Sequence, residues 1–205
     1  MINFCKRGLS MVLQYRPMDG GKELLDSEYS SGVWDYLRDV EELSRFSVVA
    51  GYCHHLKERG SILEIGCGEG VLQERLDNRK YSRYVGVDIS AEAISRAAHK
   101  QDEKTFFVAE DAEAYTPDER FDVIIFNECL EYFTDPPRLV TRYDGFLKED
   151  GIYIISMFVG LDTARTRRIW KMLETVYKAE TETRVSNKKG YTWIIKVLVP
   201  TKRRI

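Results

Sequence analysis

The feature that most constrains this chain is a rhythm: from Ser61 onward, short runs rich in β-formers alternate with helical patterns. The candidate strands are "SILEI" (61–65), "YVGVD" (84–88), "TFFVA" (105–109), "FDVIIF" (121–126) and "GIYIISMF" (151–158). Helical segments are expected near 70–78, 90–100, 135–147 and 161–174, with Ser90 as N-cap in front of "AEAISRAAHK". Strands alternating with helices build a parallel sheet covered on both faces. The end of the chain breaks the rhythm. "TVYKAETETRV" and "YTWIIKVLVP" flank "SNKKG", a link suited to a hairpin and too short for a helical crossover. The expected fold is therefore a doubly wound α/β sheet, mostly parallel, that finishes with a reversed pair.

The length of 205 residues fits one domain, and no repeat, low-complexity segment or linker divides it. Residues 1–60 read as a helical lid or cap on that domain, with aromatic residues in "YSSGVWDYLRDVEELSRF" and an apolar helix toward "VVAGYCHHL"; residues 61–205 are the domain proper. Lys plus Arg number 31 against 33 Asp plus Glu, so the basic excess of a general nucleic-acid binder is missing and nucleic acid is not an expected partner. No apolar run approaches the roughly 18 to 20 residues of a membrane span, and "MINFCKRGLSMVLQY" lacks the pattern of a secretory signal, so a cytoplasmic protein with no membrane partner is expected. Cys5, Cys53, Cys67 and Cys129 are scattered singly, which suits reduced thiols. Cys53, His54 and His55 stand together without further ligands at zinc spacing, so they read as a helix crossing from core to surface, and no metal is expected.

Chemistry enters at "EIGCGEG". Glycines Gly66, Gly68 and Gly70 follow an apolar strand and precede an expected helix, a place where bare backbone N–H groups meet a ligand. The spacing is GxGxG. A dinucleotide fingerprint wants glycine at 71, where this chain has Val71, which weighs against a pyrophosphate site. Asp88 ends the second strand about 20 residues on, where a carboxylate in doubly wound folds accepts from ribose hydroxyls. Glu64 sits inside the first strand and needs a partner, for which a cationic ligand is one candidate. Asp111 and Ala112 end the third strand; Asn127, Glu128 and Cys129 pass the end of the fourth. All four strand ends thus offer polar groups to one crevice.

The ordered set "ILEIGCGEG", "YVGVDIS", "AEDA" and "FDVIIFNECLEYFTDP" resembles the successive motifs of the class I S-adenosylmethionine-dependent methyltransferases. The resemblance spans 61 to about 158, and the closing hairpin extends it to about 200. It implies a Rossmann-like seven-stranded sheet in the order 3-2-1-4-5-7-6, strand 7 antiparallel, and S-adenosylmethionine as methyl donor with S-adenosylhomocysteine as product. It further implies that Gly66, Cys67 and Gly68 line the methionine and ribose part by backbone contact, with Glu64 near the amino acid end. Asp88 would hold the ribose hydroxyls, Ile89 would pack on the adenine, and Asp111 with the Ala112 backbone would read the ring. Asn127 and Glu128 would face the sulfonium and the acceptor. Tyr29, Trp34 and Arg45 would contact the cofactor carboxylate or close the lid.

On the acceptor side the sequence reads "LEYF", with Tyr132 where many relatives carry His. Glu128 and Tyr132 are then the candidates for acceptor contact or proton handling. Glu128 and Glu131 echo the ExxE of small-RNA 3′-terminal 2′-O-methyltransferases, but the histidines completing that metal site are missing from this region. "NECLEYFTD" is similar to the nodulation-type oligosaccharide N-methyltransferases, which turns expectation toward an O or N atom of a sugar, natural product or other small metabolite. The basic helix with Arg165, Arg167, Arg168 and Lys171 reads as a solvated face or as a seat for an anionic acceptor. The alternatives are a cofactor-binding regulatory protein, an RNA or protein methyltransferase, and an NAD-dependent oxidoreductase.

Overall fold

The computed structural model describes residues 21–159 and 163–201. Cys5, the first part of the expected lid and the start of the expected helix at 161 lie outside these residues. Seven strands form one sheet: β1 (Gly60–Ile65), β2 (Tyr81–Asp88), β3 (Thr105–Ala109), β4 (Phe121–Asn127), β5 (Leu147–Phe158), β6 (Tyr177–Ser186) and β7 (Thr192–Pro200). Their order is β3-β2-β1-β4-β5-β7-β6, as expected. The first five run parallel, and β7 is antiparallel to both β5 and β6.

Five α-helices accompany the sheet among the described residues: α1 (Gly21–Ser30), α2 (Val40–Leu56), α3 (Ala91–Ala97), α4 (Pro136–Arg142) and α5 (Thr163–Leu173). Helix α3 starts where the Ser90 hydroxyl accepts from the Ala93 N–H (3.1 Å), and α4 where Asp135 caps Arg138 with Pro136 in the first turn. Helix α2 buries Glu42, Arg45, Phe46, Val49, Ala50 and Cys53, a stripe at three- and four-residue spacing laid against the sheet. His54 leaves this stripe to accept the Asp77 N–H (3.2 Å), and His55 is exposed. No helix among the described residues is long and apolar enough to cross a membrane.

The strands' alternation sorts the core into two layers. Leu63, Ile65, Val85, Val87, Ile124 and Phe126 pack on one face beneath α4 and α5. Ile62, Tyr84, Val123, Ile125 and Ile154 pack on the other, against the α2 stripe. The same period of two puts Glu64 on the face shared by Ile62 and by Tyr84, the partner of Ile62 on β2.

The expected helix over 70–78 does not form. The Gly70 N–H closes a turn on the Cys67 carbonyl (2.9 Å), a single 3-10 turn follows at Gln73–Arg75, and Asp77 caps a second at Asn78–Lys80. Gly70 and Asp77 leave fewer than two helical turns between them, too little to offset the cost of nucleating an α-helix. The buried Val71, Leu72 and Leu76 side chains carry the apolar pattern instead. The glycine loop therefore meets no α-helix N-terminus.

Candidate functional site

Strand β1 has β2 on one side and β4 on the other, so connections leave it toward opposite edges and open a crevice at the strands' carboxyl ends. A cavity of about 1070 Å³ occupies that place. The residues expected from the sequence to face cofactor or acceptor at the strand ends and the lid border it: Tyr29, Trp34, Arg45, Glu64, Gly66, Cys67, Gly68, Asp88, Ile89, Asp111, Ala112, Asn127, Glu128 and Tyr132.

The glycines answer to the protein's own side chains. Gly66, Gly68 and Gly70 have φ of +71°, +53° and +74°, the left-handed region that glycine enters without strain. A Cβ on Gly66 would stand 2.6 Å from Cys129 Cβ, one on Gly68 2.6 Å from the Tyr29 hydroxyl, and one on Gly70 2.8 Å from the Phe107 ring. The Tyr29 hydroxyl thus lies over the bare backbone at Gly68, and the Tyr29 ring stacks on Trp34 (5.8 Å between centroids).

The Glu64 carboxylate finds its partner inside the fold: the Tyr84 hydroxyl donates to it, and the Asn127 side chain hydrogen-bonds to it as well. Burial still pushes its carboxyl up to about 7, against those bonds and the Arg45 charge. Arg45 is itself buried, donating to Glu42 from Nε (2.8 Å) and to Asn127 Oδ1 from Nη1 (2.9 Å). A continuous polar chain, Glu42–Arg45–Asn127–Glu64–Tyr84, thereby ties α2 to β4, β1 and β2.

Asp88 is buried at the end of β2. Its Oδ2 accepts the Gly68 N–H (2.8 Å) and its Oδ1 the Ser90 N–H (2.9 Å), so the carboxylate is fixed between the glycine loop and the start of α3. Burial raises its carboxyl, and these two N–H bonds oppose the rise. Each oxygen keeps a second acceptor direction. Asp111 is exposed and accepts the Glu113 N–H (2.8 Å), while the Ala112 carbonyl accepts from the Tyr143 hydroxyl (2.8 Å).

Beyond β4 the backbone turns at Glu128, whose φ of +61° is unusual for a residue with a side chain. The Glu128 N–H bonds the Ser156 carbonyl (3.0 Å), and the Ser156 hydroxyl and Phe158 N–H donate back to its carboxylate. Burial pushes the Glu128 carboxyl up, with the Arg45 charge pulling against it. Burial and the neighbouring Glu128 charge also push Glu131 up. Burial keeps the Tyr132 phenol well above its usual range, so it stands in the cavity as a hydroxyl.

Several bordering residues were not singled out from the sequence: Glu42, Phe158, Lys189, Tyr191 and Trp193; Glu131 and Arg165, read there as an ExxE echo and part of a basic helix, border it as well. A signal for the aromatic group was present. Because β7 runs antiparallel to β5, its first residues return to the crevice end, and Trp193 pairs with Phe158. Phe158, Tyr191 and Trp193 then form an aromatic wall with centroids 5.6 to 6.4 Å apart. The basic helix divides. Arg165 turns to the cavity and donates to the Glu131 and Phe133 carbonyls (2.9 and 3.0 Å), whereas Arg167, Arg168 and Lys171 are exposed. No group of three or more His, Cys, Asp or Glu among the described residues is placed to hold a metal ion.

Comparison with known proteins places this geometry in context. Residues 35–183 match a family described as a methyltransferase domain. Over 143 residues the chain is 32% identical to a malonyl-[acyl-carrier protein] O-methyltransferase of Bacillus anthracis, covering 67% of this chain and 53% of that one. A malonyl-[acyl-carrier protein] O-methyltransferase of Ilyobacter polytropus is 34% identical over 106 residues, covering 50% of this chain and 40% of the other. The chain thus spans about half the length of the curated relatives it matches. Among solved structures, the fold is similar to N-methyltransferase NodS of Bradyrhizobium japonicum WM9 in complex with S-adenosyl-L-homocysteine, with a TM-score of 0.74, 18% identity and coverage of 88% and 98% of the two chains.

Proposed function

The chain belongs to the methyltransferase-domain family, and from that premise we propose that it transfers a methyl group from S-adenosylmethionine to an oxygen or nitrogen of a small-molecule acceptor. One observation carries this reading: the buried Asp88 carboxylate, held by the Gly68 and Ser90 N–H groups, faces the same cavity as Glu128. A carboxylate fixed in this way is suited to a ribose diol, and the cavity volume of about 1070 Å³ holds a nucleoside and a small acceptor together.

In this reading the cofactor supplies an electrophilic methyl group on a sulfonium sulfur. Asp88 accepts from the ribose hydroxyls, Ile89 packs on the adenine, and Asp111 with the Ala112 backbone reads its edge. The backbone of Gly66, Cys67 and Gly68 follows the ribose and methionine part. Glu64 lies at the amino acid end, where Arg45 supplies positive charge for the cofactor carboxylate. Tyr29 and Trp34, on the segment 1–60 that we take as a lid, exclude water from above. Asn127 and Glu128 face the reacting atoms. Glu128 accepts the acceptor's proton: the O–H or N–H bond breaks, its electron pair stays on the nucleophile, and the proton joins the carboxylate. Tyr132 donates a hydrogen bond to the acceptor. Most of the acceleration then comes from holding nucleophile and methyl in line within a desolvated pocket.

A small-molecule acceptor is supported by the aromatic wall of Phe158, Tyr191 and Trp193 and by the methyltransferases of small substrates among the relatives, which include ubiquinone biosynthesis O-methyltransferases. Isothermal calorimetry with S-adenosylmethionine and S-adenosylhomocysteine tests the first half of the proposal. Saturable binding of both is expected, and binding of neither overturns it. A radiolabelled methyl-transfer screen across malonyl thioesters, phenols and amino sugars tests the second half.

A further inference from the structure

Helix α5 leaves a motif that the main cavity does not use. Arg167 and Lys171, four residues apart, share the face turned away from Arg165. They border a second cavity of about 460 Å³ between α5 and the β6–β7 hairpin. Its opposite wall carries Arg184 from β6 and Lys196 from β7. The two carboxylates bordering it, Glu174 and Glu182, are both committed to Lys196 (2.5 and 2.7 Å). Arg167, Lys171 and Arg184 have no carboxylate partner among the described residues, so four cations face two carboxylates around this cavity and leave it net positive.

A second observation is independent of that charge. Trp170 borders the same cavity and is 4% exposed, and its indole N–H has no hydrogen-bond acceptor among the described residues. A buried donor without an acceptor is rare in folded proteins. The ammonium of Lys196, held by Glu174 and Glu182, stands 4.9 Å from the same ring's centroid. An oxyanion answers the charge at this cavity, because it accepts from guanidinium and ammonium N–H donors and neutralises clustered cations. Val159 and Thr166 border both cavities, so the two adjoin.

We propose that the second cavity is a subsite for an oxyanion, a phosphate or carboxylate group, carried by the acceptor whose reacting atom lies in the main cavity. The methyl-transfer reading supplies the identity of the carrier; the anion site itself stands without it.

The test follows the tryptophan indole resonances of the ¹⁵N-labelled protein, assigned through Trp34→Phe, Trp170→Phe and Trp193→Phe, during titration with inorganic phosphate, pyrophosphate or succinate at constant ionic strength. A saturable shift of the Trp170 resonance is expected with the phosphates, with succinate or with both, and the tighter arm names the anion class. The double variant Arg167→Gln/Arg184→Gln should weaken that binding at least tenfold, with the Trp34 and Trp193 resonances in place as evidence of folding. A Trp170 resonance unmoved by every anion, or equal affinity in the double variant, overturns the subsite. The titration is repeated with saturating S-adenosylhomocysteine. Undiminished anion binding is expected, and mutual exclusion overturns the placement outside the cofactor space. Calorimetry on the same samples reads S-adenosylhomocysteine separately: its failure to bind overturns the methyl-transfer reading and leaves the Trp170 response to decide the anion site.

Discussion

A carboxylate inside an apolar strand is tolerated only where something offsets its desolvation, and Glu64 has the Tyr84 hydroxyl, Asn127 and the Arg45 charge to do so. The offset is incomplete, because its carboxyl is still raised to about 7 in the folded protein. The folded state therefore holds a proton that the unfolded chain has released between the ordinary carboxylate range and about 7. Stability falls as pH rises through that window, by up to about 3 kcal/mol from this residue. Glu64→Gln keeps the shape and removes the ionisation, so the variant should match the wild type near pH 4.5 and exceed its stability by pH 8. Urea denaturation across this range measures the difference, and a difference independent of pH would falsify the assignment. The sequence showed that Glu64 needed a partner. It did not show Tyr84, because a register of parallel strands, not proximity along the chain, brings the two to one face of the sheet.

At the scale of elements, the glycine loop and helix α2 are each held by contacts distant in sequence. Gly66→Ala must accept φ of +71° and a Cβ 2.6 Å from that of Cys129, and backbone strain together with overpacking should cost about 2 to 4 kcal/mol. Thermal or urea unfolding checks this, and a loss below about 1 kcal/mol would contradict the geometry. Glu42 and Arg45 are each 3% exposed and paired. Removing Arg45 alone leaves a buried carboxylate without its cation, a loss of about 3 to 5 kcal/mol. Arg45→Met should therefore destabilise strongly, while Glu42→Gln/Arg45→Met should recover most of that loss in the same unfolding experiment. The strands were legible because alternation and β-rich composition are local signals. The helix expected at 70–78 was not legible as a pair of 3-10 turns, since the apolar pattern of Val71, Leu72 and Leu76 suits either and only the distance between Gly70 and Asp77 decides.

For the whole molecule, the relevant quantity is the linkage between ligand binding and folding. A ligand at a hundred times its dissociation constant stabilises by about 2.7 kcal/mol. For a domain of this size each kcal/mol moves the melting midpoint by about 2 to 4 °C. S-adenosylhomocysteine at that concentration should therefore raise the Tm by about 5 to 10 °C in differential scanning fluorimetry. Asp88→Ala, which removes the acceptor shared by Gly68, Ser90 and the proposed ribose, should abolish most of the shift at the same ligand concentration. A full shift in that variant would place the ribose elsewhere.

By itself the sequence determined the strands, the reversed last pair and the set of strand-end residues expected at one crevice, because strand periodicity, turn chemistry and the ends of parallel strands are properties of short segments, whereas the strand order was implied only by the family resemblance. Only the tertiary structure decided what those residues touch. It placed Tyr29 over Gly68, joined Glu42 to Tyr84 through Arg45, Asn127 and Glu64, brought Trp193 back to the crevice, and sent Arg165 to one cavity and Arg167 to another. These contacts join segments far apart in the chain, and their geometry follows from sheet register and helix packing, which no local pattern encodes.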